Sequence, residues 1–388
     1  MLESTLAPRF LSLGAWRFSW RRSVVLMLVG MGLAKAQSQE VPAVAPAADC
    51  RVAFDMGSSG VRVLASGVPE RLGLPSRDLD VLTPLMQGQG MAQVLPEVER
   101  ALRDLPLQAQ LPNTCRLIGG GFSAWRLAWR QEGPALVSQL AALREQTGVA
   151  VLIIPAAVEG RYGHNSAIKT LGPRLQTSHI FDLGGGSLQV AGHDRSFGIE
   201  LGQKSWLYQL CRVLGRVEGA VCPLLPLTAT ELQQARDVLT PQLQTLTAEV
   251  GGGTLTAISR PVTRGIRSAL RALDMAQTDT ITLSDLSRAI ERLSPLPLDE
   301  LMRLTQLSIN FAPYLVSDML LVEGVLRSMK LSSLALAETS INNLPALLSD
   351  EQAFAWAQQH PCYLQRLREQ GPSAYFSDPL NCPKAAQP

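Results

Sequence analysis

The 388-residue sequence predicts an α/β protein in two lobes, with mixed sheets flanked by helices and a cleft between the lobes. Three observations predict it. Apolar, strand-like runs alternate with amphipathic stretches, the pattern of sheets covered by helices. A unit of strand, glycine turn and strand occurs twice, as RVAFDMGSSGVRVLAS (51–66) and HIFDLGGGSLQVAGH (179–193), each first strand ending on an aspartate, Asp55 or Asp182. The length and the 46% apolar content suffice for two ordinary cores.

Residues 1–36 stand apart from this plan. Arg17, Arg21 and Arg22 precede the apolar run SVVLMLVGMGL, which ends at Ala34-Lys35-Ala36. That is the layout of a secretory signal peptide cleaved after Ala36. The run is too short for a membrane anchor, which needs about 18 to 20 residues. The mature chain is therefore expected to be exported, to the periplasm or beyond, and to need no membrane. The segment holds five of the 35 basic residues (Arg9, Arg17, Arg21, Arg22, Lys35) and one of the 33 acidic ones (Glu3), leaving 30 against 32. A nearly neutral chain without a Lys/Arg block argues against bulk binding of nucleic acid. Residues 37–49, rich in Ala and Pro, read as a linker.

The first lobe is expected over 50–165. It runs as strand RVAFDMG, turn SSG, strand VRVLAS, a helix near Met91 to Leu105, strand RLIGGG, a helix near Pro134 to Gln146 and strand VAVLIIP. The second, over 166–335, opens on the repeated unit and is otherwise mainly helical. Helix starts lie at Thr228 to Glu231 and Thr282 to Asp285, a strand-like AEVGGGTLT surrounds Gly251, and a helix is expected near Ser317 to Met329. Residues 336–388 supply a return helix, Glu351 to Gln358, which helps complete the first lobe. An irregular, disulfide-tied tail is expected after Pro361.

Six cysteines in an exported chain read as a disulfide framework. Cys211–Cys222 and Cys362–Cys382 are close in sequence. Cys50 and Cys115 each precede an apolar run, so adjacent parallel strands would bring them side by side. Fifteen pairings are open to six cysteines.

The repeated turn carries the chemistry. A glycine run at a strand end lets backbone N–H groups approach an anion, and an aspartate before each turn can hold Mg²⁺ while the turn holds phosphate. The candidate phosphate ligands are Gly57, Ser58 and Ser59 in one turn and Gly184, Gly185, Gly186 and Ser187 in the other. Gly252, Gly253 and Thr254 are expected to add a further wall, and Asp55 and Asp182 are the candidate metal ligands. A lone turn would be a plain hairpin; two, 127 residues apart and each preceded by aspartate, are better explained by a site. No GxxxxGK[ST] and no G-x-S-x-G occurs, which excludes a P-loop and a serine hydrolase elbow. His164, His179, His193 and His360 show no ligand spacing.

VAFDMGSSGVRVL, GGGFSAWRLA, TGVAVLIIPAAVEGRYGH, HIFDLGGGSLQVAG, SFGIELG and EVGGGTLTA occur in the order found in the exopolyphosphatase and guanosine pentaphosphate phosphatase (Ppx/GppA) family, which the chain resembles from about Cys50 to about Leu348. The resemblance implies an actin-like (ribonuclease H-like) ATPase fold. It also implies Mg²⁺-dependent release of terminal phosphate from a phosphoanhydride, with inorganic polyphosphate the substrate most compatible with export. Glu159 falls where the family has the carboxylate that activates water, Asp182 at its metal-associated aspartate, and Asp55 in its first phosphate loop. Arg126 aligns with a family arginine able to meet phosphate through its fork. The chain departs from the family at Gln189 (usually glutamate), Ser59 (usually asparagine) and Val158 (often acidic). A neutral amide at 189 supplies no charge to a metal, so a catalytically silent relative that binds polyphosphate or a partner is the second reading. A homodimer is the assembly left open.

Overall fold

In the computed structural model, residues 49–69, 74–217, 222–275 and 279–382 are described. The expected signal peptide and nearly all of the linker lie outside them. Two sheets form the framework. The first contains β1 (Arg51–Met56), β2 (Gly60–Ser66), β3 (Ser76–Asp78), β4 (Arg116–Gly121) and β5 (Ala150–Ile153) in the order β3-β2-β1-β4-β5. The second contains β6 (His179–Leu183), β7 (Leu188–Ala191), β8 (Ser196–Ile199), β9 (Leu255–Ala257), β10 (Thr280–Thr282) and β11 (Ser333–Leu336) in the order β10-β11-β9-β6-β7-β8.

The duplication read in the sequence is a duplication of topology. Strands β1 to β3 form an antiparallel meander, and β4 and β5 then add in parallel beside β1. Strands β6 to β8 repeat the meander, and β9 and β11 add in parallel beside β6. Both β1 and β6 are therefore central, which is why β1 is buried along its whole length and reads as one apolar run.

Helices cover the sheets. On the first lobe lie α1 (Leu95–Gln108), α2 (Ser123–Glu132) and α3 (Pro134–Thr147); α4 (Ala156–Leu171) then leads to the second sheet. Its Val158 and Tyr162 join the first core, whereas Ala167 and Leu171 pack with Ile180, Ala191 and Ile258. Gly160 allows this crossing, because a Cβ there would collide with Ser196 Oγ on β8. The second lobe contains α5 (Gln203–Val213), α6 (Ala229–Leu239), α7 (Leu283–Leu293) and α8 (Leu315–Ser328). At the start of α6 the Thr228 hydroxyl accepts from the Glu231 amide and Glu231 accepts from the Thr228 amide. Thr282 likewise caps α7 through the Asp285 amide.

The chain then returns to the first lobe. Leu344, Leu347, Phe354, Trp356, Tyr363 and Tyr375 all belong to the first core, and α9 (Glu351–Gln358) is capped by Asp350. The tail corrects the sequence reading: it is helical over α10 (His360–Gln370) and continues in short 3-10 turns. Pro361 stands at the start of that helix, where proline is tolerated because its missing N–H has no partner to lose. All six cysteines pair, as Cys50–Cys115, Cys211–Cys222 and Cys362–Cys382. The first bridge follows from the parallel register of Arg51 with Arg116, which sets the preceding cysteines side by side. Among the described residues, no helix is long and apolar enough to cross a membrane.

Candidate active site

The two glycine turns meet. A Cβ on Gly185 would collide with Ser58 Oγ and lie 3.3 Å from Ser59 Oγ. The carbonyls of Gly184 and Gly185 accept from the amides of Gln203 and Lys204, at 2.9 and 2.7 Å, and Ser205 Oγ donates to the Gly186 carbonyl at 3.0 Å. Helix α5 thus takes the acceptors of the second turn. Among the described residues, the amides of Ser58, Ser59, Gly185 and Gly186 donate to no protein acceptor. Such paired turns, rich in open donors, suit an anion. Gly202 sits inside the curl of the second turn, and any Cβ there would strike the Ser187 and Gly186 amides and the Gly184 carbonyl.

Three carboxyl groups converge beside these turns. Asp55 and Asp182 are the penultimate residues of the equivalent central strands, and Glu159 lies in the first turn of α4. Burial pushes the Glu159 carboxyl up to about 7 against the pull of Arg126, with Glu200 and Asp55 pushing further. Burial, then Glu159 and Asp55, push Asp182 up to about 7 as well. Asp55 is raised by burial, opposed by Arg62 and by the backbone amide of Asn343. Asp55 acts on both Glu159 and Asp182, and Glu159 on Asp182; Glu159 is tied to the second turn through Arg126, Glu200 and Ser123, whose Oγ lies against Gly186. Among the described residues, no group of three or more His, Cys, Asp or Glu side chains is placed to hold a metal ion. The donor set still suits Mg²⁺, which is held by one or two carboxylates with water and phosphate oxygens completing its shell.

The hairpins repeat even their cross-strand pairs, Asp55 with Arg62 and Asp182 with Gln189. Gln189 is buried; its Nε2 donates to Ser187 Oγ at 2.9 Å, and its Oε1 has no partner among the described residues. An amide here avoids adding a fourth anion to a crowded group.

Arg126 corrects one expectation. Its fork is held by carboxylates, not left open for phosphate: Nε binds Glu200, Nη1 lies 2.7 Å from Glu159 Oε2, and Nη1 also donates to the Ile154 carbonyl at 2.9 Å. The side chain is buried, so pairing with acids is what makes its charge tolerable. Among the described residues, Nη2 finds no hydrogen-bond partner.

Gly252, Gly253 and Thr254 are a second correction, since they lie at the wrong end of the sheet. The Thr254 carbonyl accepts from the His179 amide, at the start of β6, and Thr254 N donates to Ser178 Oγ. Because β9 runs parallel to β6, it is its far end that reaches the site. There Ser259 Oγ accepts from the Leu183 amide at 3.0 Å. Arg260 and Arg264 follow, Arg264 within a π-helical turn, Pro261–Ile266. Arg62 and Arg264 act electrostatically on Arg260, whose pKa burial lowers first. Among the described residues, none of these three arginines has an ion-pair partner. The sequence reading missed them and Glu200, although Arg62 stands seven residues after Asp55, as Gln189 does after Asp182.

A cavity of about 500 Å³ opens between the lobes beside Gly186, lined by Leu82, Leu127, Arg130, Glu200, Tyr208 and Arg212 among others.

The sequence profile of the Ppx/GppA phosphatase family matches residues 138–343, more than half of the chain. No curated protein sequence matches it significantly. Among solved structures, a Ppx/GppA phosphatase from Aquifex aeolicus is 16% identical, with a TM-score of 0.56 over 78% of this chain and 99% of its own. An exopolyphosphatase from Cytophaga hutchinsonii is 15% identical, with a TM-score of 0.53 over 77% of this chain and 96% of its own. An exopolyphosphatase-like protein is 14% identical, with a TM-score of 0.57 over 81% and 99%. At these identities the structures show a shared fold, the two-lobed actin-like one, and the profile shows the family. The chain belongs to the Ppx/GppA phosphatase family.

Proposed function

We propose that this chain is an exported, Mg²⁺-dependent phosphohydrolase that removes terminal phosphate from inorganic polyphosphate. The observation that carries the reading is the gathering of Asp55, Asp182 and Glu159 where two donor-rich turns touch. The terminal phosphoryl is bound by the amides and hydroxyls of Ser58 and Ser59 and the amides of Gly185 and Gly186. Glu159 takes the proton from the attacking water. A carboxyl titrating near 7 is well matched to that task at neutral pH, since an efficient base has a pKa close to the working pH. Arg126 holds its charge beside that carboxylate, Nη1 lying 2.7 Å from Oε2 as an ion pair without hydrogen-bond alignment. Arg62, Arg260 and Arg264, cations without partners among the described residues, suit the remaining phosphates of the chain. Asp55 and Asp182 would hold Mg²⁺, which when bound neutralises charge on the phosphate oxygens. Three disulfides that use every cysteine support an oxidising compartment and hence export.

The test is release of orthophosphate from polyphosphate by the purified mature protein, with Mg²⁺ and with EDTA. Release that depends on Mg²⁺ is the expected outcome. Tight binding of polyphosphate without release would select the silent relative, which the neutral Gln189 favours.

A further inference from the structure

We infer that Glu200 is a positioning residue of the second lobe, which docks on the guanidinium holding Glu159 and so sets the base in place only when the lobes are closed. The inference rests on the phosphohydrolase reading above and adds a part to it.

The chain brings Arg126 and Glu159 from the same lobe, at the starts of α2 and α4, behind β4 and β5. Glu200 comes from the other, just past β8. Its Oε1 accepts from Arg126 Nε, its Oε2 accepts from Ser123 Oγ at 3.4 Å, and Arg130 Nη1 lies 3.8 Å away. Every one of these partners belongs to α2, so a single carboxylate ties the second lobe to the helix that directs the base. The guanidinium is buried, whereas the Glu200 side chain keeps 25% of its surface open toward the interlobe cavity. Opening the lobes would therefore withdraw Glu200 into water and leave Arg126 buried with one carboxylate in place of two. A guanidinium is a rigid plane, so the Glu200 contact on Nε, together with the Ile154 carbonyl on Nη1, sets where Nη1 lies beside Glu159.

A neighbouring contact separates this role from simple closure. Lys204 Nζ lies 2.8 Å from Asp80 Oδ1 and also spans the lobes, yet it touches neither Arg126 nor Glu159. Lys204→Ala therefore reports what loosening the lobes does by itself, and Glu200→Ala reports the loss of the linked latch.

With polyphosphate and Mg²⁺, Glu200→Ala is expected to lower kcat roughly 10- to 100-fold with KM changed less than about threefold, since misplacing a catalytic group by 1 Å costs that order. Glu200→Gln, which keeps the acceptor for Nε, should recover part of the loss, and Lys204→Ala should lose at least tenfold less kcat than Glu200→Ala. In a Glu159→Gln background, Glu200→Ala should cost less than about twofold more, because residues acting as one unit are not additive. Independently of turnover, amide hydrogen exchange in α2 and in the first turn of α4 should rise in Glu200→Ala and not in Lys204→Ala. Equal loss of kcat in the two lobe variants, full additivity with Glu159→Gln, or unchanged exchange would overturn the inference. If the wild type releases no phosphate while exchange still separates the two variants, the phosphohydrolase reading fails and the latch stands.

Discussion

Glu159, Asp182 and Asp55 have carboxyl groups with raised proton affinity, and this has a consequence for stability. A folded-state pKa raised above the ordinary carboxylate value means the native protein binds the proton more tightly than the unfolded chain. Stability from Glu159 is therefore fully present below about pH 4.5 and is lost as the pH rises to about 7. The loss at alkaline pH is on the order of 3 kcal/mol. Glu159→Gln removes it, so its Tm should exceed that of the metal-free wild type above pH 7, with the gap closing toward pH 5; calorimetry across that range checks this. Gln189→Glu should act in the opposite sense, adding a charge opposite Asp182 that lowers metal-free stability at neutral pH and tightens Mg²⁺ dependence. A Mg²⁺ titration of phosphate release measures the second effect, and an unchanged midpoint would show that residue 189 lies apart from the metal.

At the scale of elements, the second turn depends on α5. Gly202→Ala places a Cβ against the turn's own backbone, so it should cost roughly 1–3 kcal/mol and raise KM for polyphosphate more than it lowers kcat. A Tm equal to that of the wild type would mean the turn has another support. The two hairpins were legible because a buried strand, an aspartate and a glycine turn are consecutive in sequence. So was the Cys50–Cys115 bridge, through the strands the cysteines precede. Helix α4 left little trace: it carries Gly160 and Gly163 and, among the described residues, has no side-chain cap. Gly252 to Thr254 misled for a physical reason, since glycines mark a tight chain path at either end of a strand and only topology says which end faces the cleft. Glu200 and Arg260 were hidden because their value comes from residues more than 70 positions away and across the lobes in both cases.

For the whole molecule, the architecture puts stability and chemistry at opposite ends of the same strands. Cys50–Cys115 closes the start of β1 and β4, whereas Asp55 lies near the other end of β1. Replacing both cysteines by serine should lower stability by about 2–4 kcal/mol while phosphate release at 25 °C keeps its wild-type rate; urea melts with a parallel assay test the separation. The C-terminal helices close the first core after the chain has built the second, so the first lobe is made from two separated stretches of sequence. The measurement that bears most directly on the account is the pH dependence of phosphate release from polyphosphate, for wild type and Glu159→Gln together. The wild-type rate is expected to climb with pH up to about 7, and that of the variant to be lowered by roughly 10² or more without that limb. A wild-type rate already at its plateau at pH 5, or equal rates for the two proteins, would contradict it.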